Sequence, residues 1–267
     1  MDFKRIVSAA LGFPIVLLIL VFGNRIVIDI GLVIIAIIAM NEYLNAVSKV
    51  CNPVKSIAYI SCLSIGLIHV ISQEYLNLIV TISVPSILII LFAHIISSNM
   101  KIDLKDIAYT FIGIFYIVFF IMFLAFISGM EHGKILIWYT LFAAWGTDLF
   151  AYVFGKLFGK HKFSKISPNK TIEGVIGGVI GALIFIIPYT YAMNYFYQMD
   201  YSYVYVIIMG VVLSLVGQIG DFAASSIKRH VEIKDFSNLI PGHGGILDRI
   251  DSLIFLAPYA FIFFTFI

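Results

Sequence analysis

Charge is what this sequence has least of. Only 12% of its 267 residues are Asp, Glu, Lys or Arg, about half the share of a soluble domain. With 61% hydrophobic residues and a mean hydropathy of +1.05, it holds more apolar surface than a water-soluble core of this length can bury. A soluble globular protein is excluded. Strict alternation of polar and apolar residues is also missing, which argues against a transmembrane β-barrel. Cysteine is scarce: Cys51 lies in a loop and Cys62 in an apolar run, so they do not look like a disulfide pair. No Walker pattern and no GxGxxG occurs, so a soluble-type nucleotide fold is not indicated. There is no internal repeat and no low-complexity linker. No obvious cleavage site follows the first apolar run, which reads as a retained span.

What the chain does have is long apolar runs. A helix crossing the hydrocarbon needs about 20 mainly apolar residues. Nine runs qualify, at roughly 6–23, 26–44, 56–72, 76–97, 107–128, 134–154, 174–194, 202–220 and 252–267. The expected fold is all-α: a polytopic membrane protein of about nine transmembrane helices, forming a single membrane domain over 1–267. Residues 1–130 read as scaffold spans, with Asp29 and Glu42 near span ends and His69 and His94 as structural histidines. Residues 134–267 read as catalytic spans and cytoplasmic loops.

Lys and Arg are nearly missing from alternate connections. With the N-terminus inside, fifteen of the seventeen fall in inside segments, and only Arg25 and Lys134 fall outside. The positive-inside rule then places the N-terminus and every charge-rich loop in the cytoplasm. The expected location is the cell membrane, multi-pass, with an active site facing the cytoplasm.

Polar residues gather in the second half. Trp145-Gly146-Thr147-Asp148 lies in the sixth span, and Asp148, Tyr152 and Gly155 share a helical face. A basic loop follows, with Ser167-Pro168-Asn169-Lys170-Thr171-Ile172-Glu173-Gly174. Gly174, Gly177, Gly178 and Gly181 open the seventh span in overlapping GxxxG spacings, a face suited to close helix approach in lipid. Beyond the eighth span, Asp221, Ser225, Ser226, Lys228, Arg229, Lys234, His243, Gly244, Gly245, Asp248, Arg249 and Asp251 crowd into about thirty positions. Ionisable residues at a membrane edge are costly and mark function by default.

The residue types suggest a chemistry. Hard divalent cations such as Mg²⁺ take carboxylate oxygens together with water and substrate phosphates. Asp221 and Asp248, from two helix ends, are the first candidates to hold such an ion. Asp251 is a candidate of second rank. Asp248 and Asp251 also suit a helix start, where negative charge is favoured. Arg grips a phosphate bidentately and Lys supplies a point charge, so Lys170, Lys228, Arg229, Lys234 and Arg249 are candidates for phosphate contact. Lys160, Lys162 and Lys165 are explained by topology alone. His243, between glycines, is either structural or a donor to a phosphate or leaving group. These groups suit phosphoryl or nucleotidyl transfer at the membrane surface.

The run Ser225-x-Ile227-Lys228-Arg229-x4-Lys234-Asp235-x-Ser237-x2-Ile240-Pro241-x-His243-Gly244-Gly245-Ile246-x-Asp248-Arg249-Ile250-Asp251 resembles the signature of phosphatidate cytidylyltransferases, the CDP-diacylglycerol synthases. Gly146-Thr147-Asp148 and Ser167-Pro168-x-Lys170-Thr171-x-Glu173-Gly174 resemble two further family segments, although Asn169 stands where the family often has a second lysine. The resemblance covers roughly residues 140–255. It implies transfer of the cytidylyl group of CTP to phosphatidic acid, giving CDP-diacylglycerol and pyrophosphate. It implies Mg²⁺ on Asp221 and Asp248, and admits K⁺ beside it. Asp221, Asp248, Lys228, Arg229 and His243 are expected as catalytic residues. Lys170, Ser225, Ser226, Lys234, Gly244, Gly245, Arg249 and Asp148 are expected to bind substrate. Partners are CTP, phosphatidic acid and membrane lipid, with no nucleic acid and room for a homodimer. The alternatives are a membrane transferase acting on a polyprenyl phosphate, and a transporter. Against the transporter, the polar residues sit at the cytoplasmic edge and no inverted repeat is visible.

Overall fold

The computed structural model describes residue 14 and residues 17–68, 70, 73–162, 167, 170–242 and 244–267, with backbone alone at 73–77, 79 and 80. Apart from two isolated bridges, the ordered elements among them are helices. The chain divides into two compact units, one of residues 1–129 with 231–249 and the other of residues 130–230 with 250–267.

The first unit opens on α1, Arg25–Val47, whose start is capped by Asn24 accepting from the Val27 amide. Then come α2 (Lys55–Leu63), a 3₁₀ turn (Ser64–Leu67) and α3 (Gln73–Ser97). Helix α4 (Leu104–Gly113) starts in a reciprocal capping box between Asp103 and Asp106. It passes through a π-helical stretch, Ile114–Phe119, into α5 (Phe120–Gly129). The buried Asp106 and Thr110 do further work. Asp106 Oδ1 accepts from the Asn52 amide at 2.6 Å, and Thr110 Oγ1 accepts from the Val54 amide at 2.8 Å. The connection after α1 is thereby fastened to α4.

The second unit holds α6 (Gly133–Phe158), α7 (Ile172–Tyr197) and α8 (Tyr203–His230). The last helix, α9 (Leu247–Thr265), passes from the first unit into the second after Arg249. Helices α6 and α7 pack backbone to backbone. A Cβ on Gly146 would lie 2.6 Å from the Gly181 carbonyl oxygen, and one on Gly178 would lie 3.0 Å from Gln218 Nε2. These glycines therefore serve helix contact, as small residues do between membrane helices. Two polar contacts join the helices. Thr147 Oγ1 donates to Ser214 Oγ at 2.8 Å, and Gln218 Nε2 donates to the Val175 carbonyl at 3.3 Å.

The protein is an all-α polytopic membrane protein. Among the described residues five helices are long and apolar enough to cross a membrane: α1, the continuous Leu104–Gly129, α6, α7 and α8. The expected count of nine differs for identifiable reasons. The run at 6–23 lies largely outside the described residues. The run at 56–72 supplies a helix of only Lys55–Leu67, and that at 76–97 a described apolar stretch of Thr81–Ser97. The last run begins with a charged turn. Helix α8 also runs to His230, past the expected end at 220, so Ser225, Lys228 and Arg229 stand on a helix rather than in a loop. Cys51 and Cys62 are buried free thiols.

Candidate active site

The expected site residues fall into two groups. Asp148, Lys170, Asp221, Ser225, Ser226, Lys228, Arg229 and Asp251 belong to the second unit, while Lys234, Gly244, Gly245, Asp248 and Arg249 belong to the first. His243 lies outside the described residues, as do His69, Lys165, Pro168 and Asn169.

In the second unit, α8 carries Asp221, Ser225 and Lys228 at i, i+4 and i+7, which places them along one helical face. Thr171 caps α7 by accepting from the Gly174 amide at 3.1 Å, and this fixes the residue before it. Lys170 forms an ion pair with Asp221, and its ammonium stands 4.2 Å from the centre of the Phe222 ring. Both partners are partly exposed, at 25% and 34% of their side chains. From α6, Asp148 is exposed, and its Oδ2 accepts from Ser252 Oγ at 3.3 Å. Tyr152, on the same face as Asp148, is 66% exposed, and Gly155 faces Thr171; that face is packing and surface apart from Asp148.

Asp251 is buried ahead of the apolar stretch of α9. Its Oδ1 accepts from the Ser252 amide at 2.8 Å. Burial, and after it the charge of Asp221, push its carboxyl up to about 7; Asp148 adds to this and Lys228 opposes it. Three carboxylates thus share one electrostatic neighbourhood. Among the described residues no group of three or more His, Cys, Asp or Glu side chains is arrayed to hold a metal ion unaided. Mg²⁺ does not need one, because it is commonly held by one or two carboxylates with waters and substrate phosphates. Oxygen donors in a field that penalises their own charge fit such an ion.

In the first unit, the segment 231–249 is a tight, hydrogen-bonded structure. The Ile240 amide donates to the Gly244 carbonyl at 2.8 Å, closing a turn with Gly242 and Gly244 at φ +79° and +82°. Only glycine adopts that conformation without strain. Asp248, 7% exposed, accepts with Oδ2 from the Phe236 amide at 2.8 Å and the Gly245 amide at 3.0 Å. Lys234 and Arg249 are exposed on the same segment. Asp248, expected beside Asp221, therefore has a structural duty in the other unit.

One residue that sequence reasoning passed over is prominent. Glu42 of α1, 3% exposed, accepts from Ser237 Oγ at 2.6 Å, the Ile246 amide at 3.0 Å and the Leu247 amide at 2.8 Å. Its only signal in the sequence is a carboxylate at the end of an apolar run.

Comparison with known proteins identifies relatives along the whole chain. The model of the Cytidylyltransferase family matches residues 3–267. A protein of Staphylococcus aureus (strain COL) named phosphatidate cytidylyltransferase is 36% identical over 262 residues, covering 95% of each chain. Proteins with the same name from Staphylococcus haemolyticus (34% over 255 residues) and Staphylococcus epidermidis (32% over 260 residues) also cover 95% of each chain. The chain belongs to the cytidylyltransferase family.

Proposed function

We propose that this enzyme transfers the cytidylyl group of CTP to phosphatidic acid, forming CDP-diacylglycerol and releasing pyrophosphate. An oxygen of the lipid phosphate attacks the α-phosphorus of CTP. The bond from that phosphorus to the oxygen bridging to the β-phosphate breaks, and pyrophosphate leaves with its electron pair. The attacking phosphate is already ionised, so no strong general base is required. The demand is to bring two polyanions together, and the protein meets it with positioned charge.

The observation that carries this reading is the pairing of Lys170 with Asp221 beside Asp148 and Asp251. A partly exposed cation and a group of hard oxygen donors in one neighbourhood suit a metal-bound triphosphate. Asp221 and Asp251 would hold Mg²⁺ together with water and substrate phosphates, with K⁺ as a second ion. An ion held there would supply positive charge to offset that of the phosphates. Lys170 and Lys228 orient the phosphates, and Arg229, on the exposed side of α8, draws them in. Asp248 acts through the shape of its segment. His243 is a candidate donor to the leaving pyrophosphate. The active site faces the cytoplasm, where CTP is available, and phosphatidic acid enters from the bilayer between helices. A homodimer is compatible with this reading and is tested by crosslinking in native membranes.

The experiment is a lipid panel. Purified protein with Mg²⁺ and labelled CTP should label phosphatidic acid and leave polyprenyl phosphate unlabelled. Labelling of the polyprenyl phosphate alone would assign the site to a different lipid.

A further inference from the structure

We propose that Glu42 is a positioning residue for cytidylyl transfer: a cap, delivered from α1, that holds the segment 236–248 in its working shape. This rests on the reaction proposed above. A buried carboxylate is costly unless donors fill its oxygens. Glu42 is 3% exposed, and all three of its donors come from one stretch of chain about two hundred residues away. Two of them, the Ile246 and Leu247 amides, stand at the start of α9. The first amides of a helix lack partners within it, and negative charge is favoured there.

Asp248 completes the arrangement from within the segment by accepting from the Phe236 and Gly245 amides. The backbone between 236 and 247 is thus gripped by two carboxylates, one local and one from α1. Gly245 shows how closely. A Cβ there would lie 2.5 Å from Glu42 Oε2, so the carboxylate stands where any other side chain would begin. A Cβ on Gly244 would lie 3.0 Å from Asp248 Oδ2. From the sequence, these adjacent glycines suggest a backbone open to a ligand. In the fold the protein's own carboxylates approach them. The exposed cations Lys234 and Arg249 flank this gripped backbone, so their placement depends on Glu42.

Glu42→Gln tests this in the full-length protein. It keeps the size of the side chain and turns one acceptor oxygen into a donor. A lost partner for a buried amide corresponds to about tenfold in an equilibrium. Turnover should fall about tenfold or more, and hydrogen exchange should rise at 236–249 while amides of 25–129 keep wild-type protection. Ser237→Ala removes one of the three donors from the opposite side. It should shift both readouts the same way by a smaller factor, and it decides the matter if Glu42→Gln does not fold. Unchanged turnover in the folded variants would overturn the proposal. So would exchange rising throughout 25–129, which would make Glu42 a support for the whole unit. A wild-type protein that makes no CDP-diacylglycerol would sink the reaction, while the exchange result would still test the cap by itself.

Discussion

Lys170 and Asp221 come from segments about fifty residues apart and end as an ion pair. Their partial exposure makes this pair the most informative residue-scale feature. Removing either partner leaves the other uncompensated in a crowded field. Asp221→Asn and Lys170→Ala should each lower kcat/KM by roughly 100-fold, with expression and thermal unfolding in detergent close to wild type. Near wild-type rates for both at saturating Mg²⁺ would remove the pair from the site. The surface cations divide by role. Arg229→Lys keeps the charge but loses the planar fork, so a loss of about tenfold or more would report bidentate phosphate contact. Lys162→Ala, at an exposed position whose backbone bridges to Thr171, should stay within about twofold of wild type, as expected for a screened surface charge. Equal losses at 229 and 162 would mean the cations act only as a diffuse attractor for anions.

Helices carry the second scale. Gly146 and Gly181 set the distance between α6 and α7; GxxxG spacing showed this in the sequence for Gly181 but not for Gly146. Gly146→Val should destabilise by about 1–3 kcal/mol through overpacking, read as a lower unfolding temperature in detergent. The folded fraction should keep the wild-type KM for CTP. A changed KM with unchanged stability would place Gly146 at the ligand instead. Long apolar helices were legible because composition and length fix them. The end of α8 was not. Asp221 reads as the close of an apolar run, yet Ala223 and Ala224 sustain the helix to His230. The ion pair of Lys170 with Asp221 joins two charges that the sequence singles out by their crowding. The service of Glu42 to Ser237, Ile246 and Leu247 was not legible, because a contact across some two hundred residues leaves no local pattern. Nor did the sequence show that one oxygen of Asp248 accepts from two backbone amides in its own segment.

At the scale of the molecule, the division after Gly129 falls where polar residues begin to enter the helices. The segment 231–249 packs with the first unit, although its sequence signature continues directly from α8. Charge is distributed as unevenly as polarity. Fifteen of seventeen Lys and Arg lie in the segments assigned to the inside, and the proposed orientation rests on that bias. With Cys51 and Cys62 replaced by Ser, a cysteine near Lys162 should resist an impermeant thiol reagent in intact cells and one near Gln198 should react. The reverse pattern would invert the orientation and close the route for CTP. The central claim is that the α-phosphorus of CTP, with its nucleoside, passes to the lipid. Its most direct test supplies the purified protein with phosphatidic acid, Mg²⁺, and CTP labelled at either the α- or the γ-phosphorus. Label from the α position should appear in the lipid and label from the γ position in soluble pyrophosphate; γ-label in the lipid would show phosphoryl transfer and contradict the account.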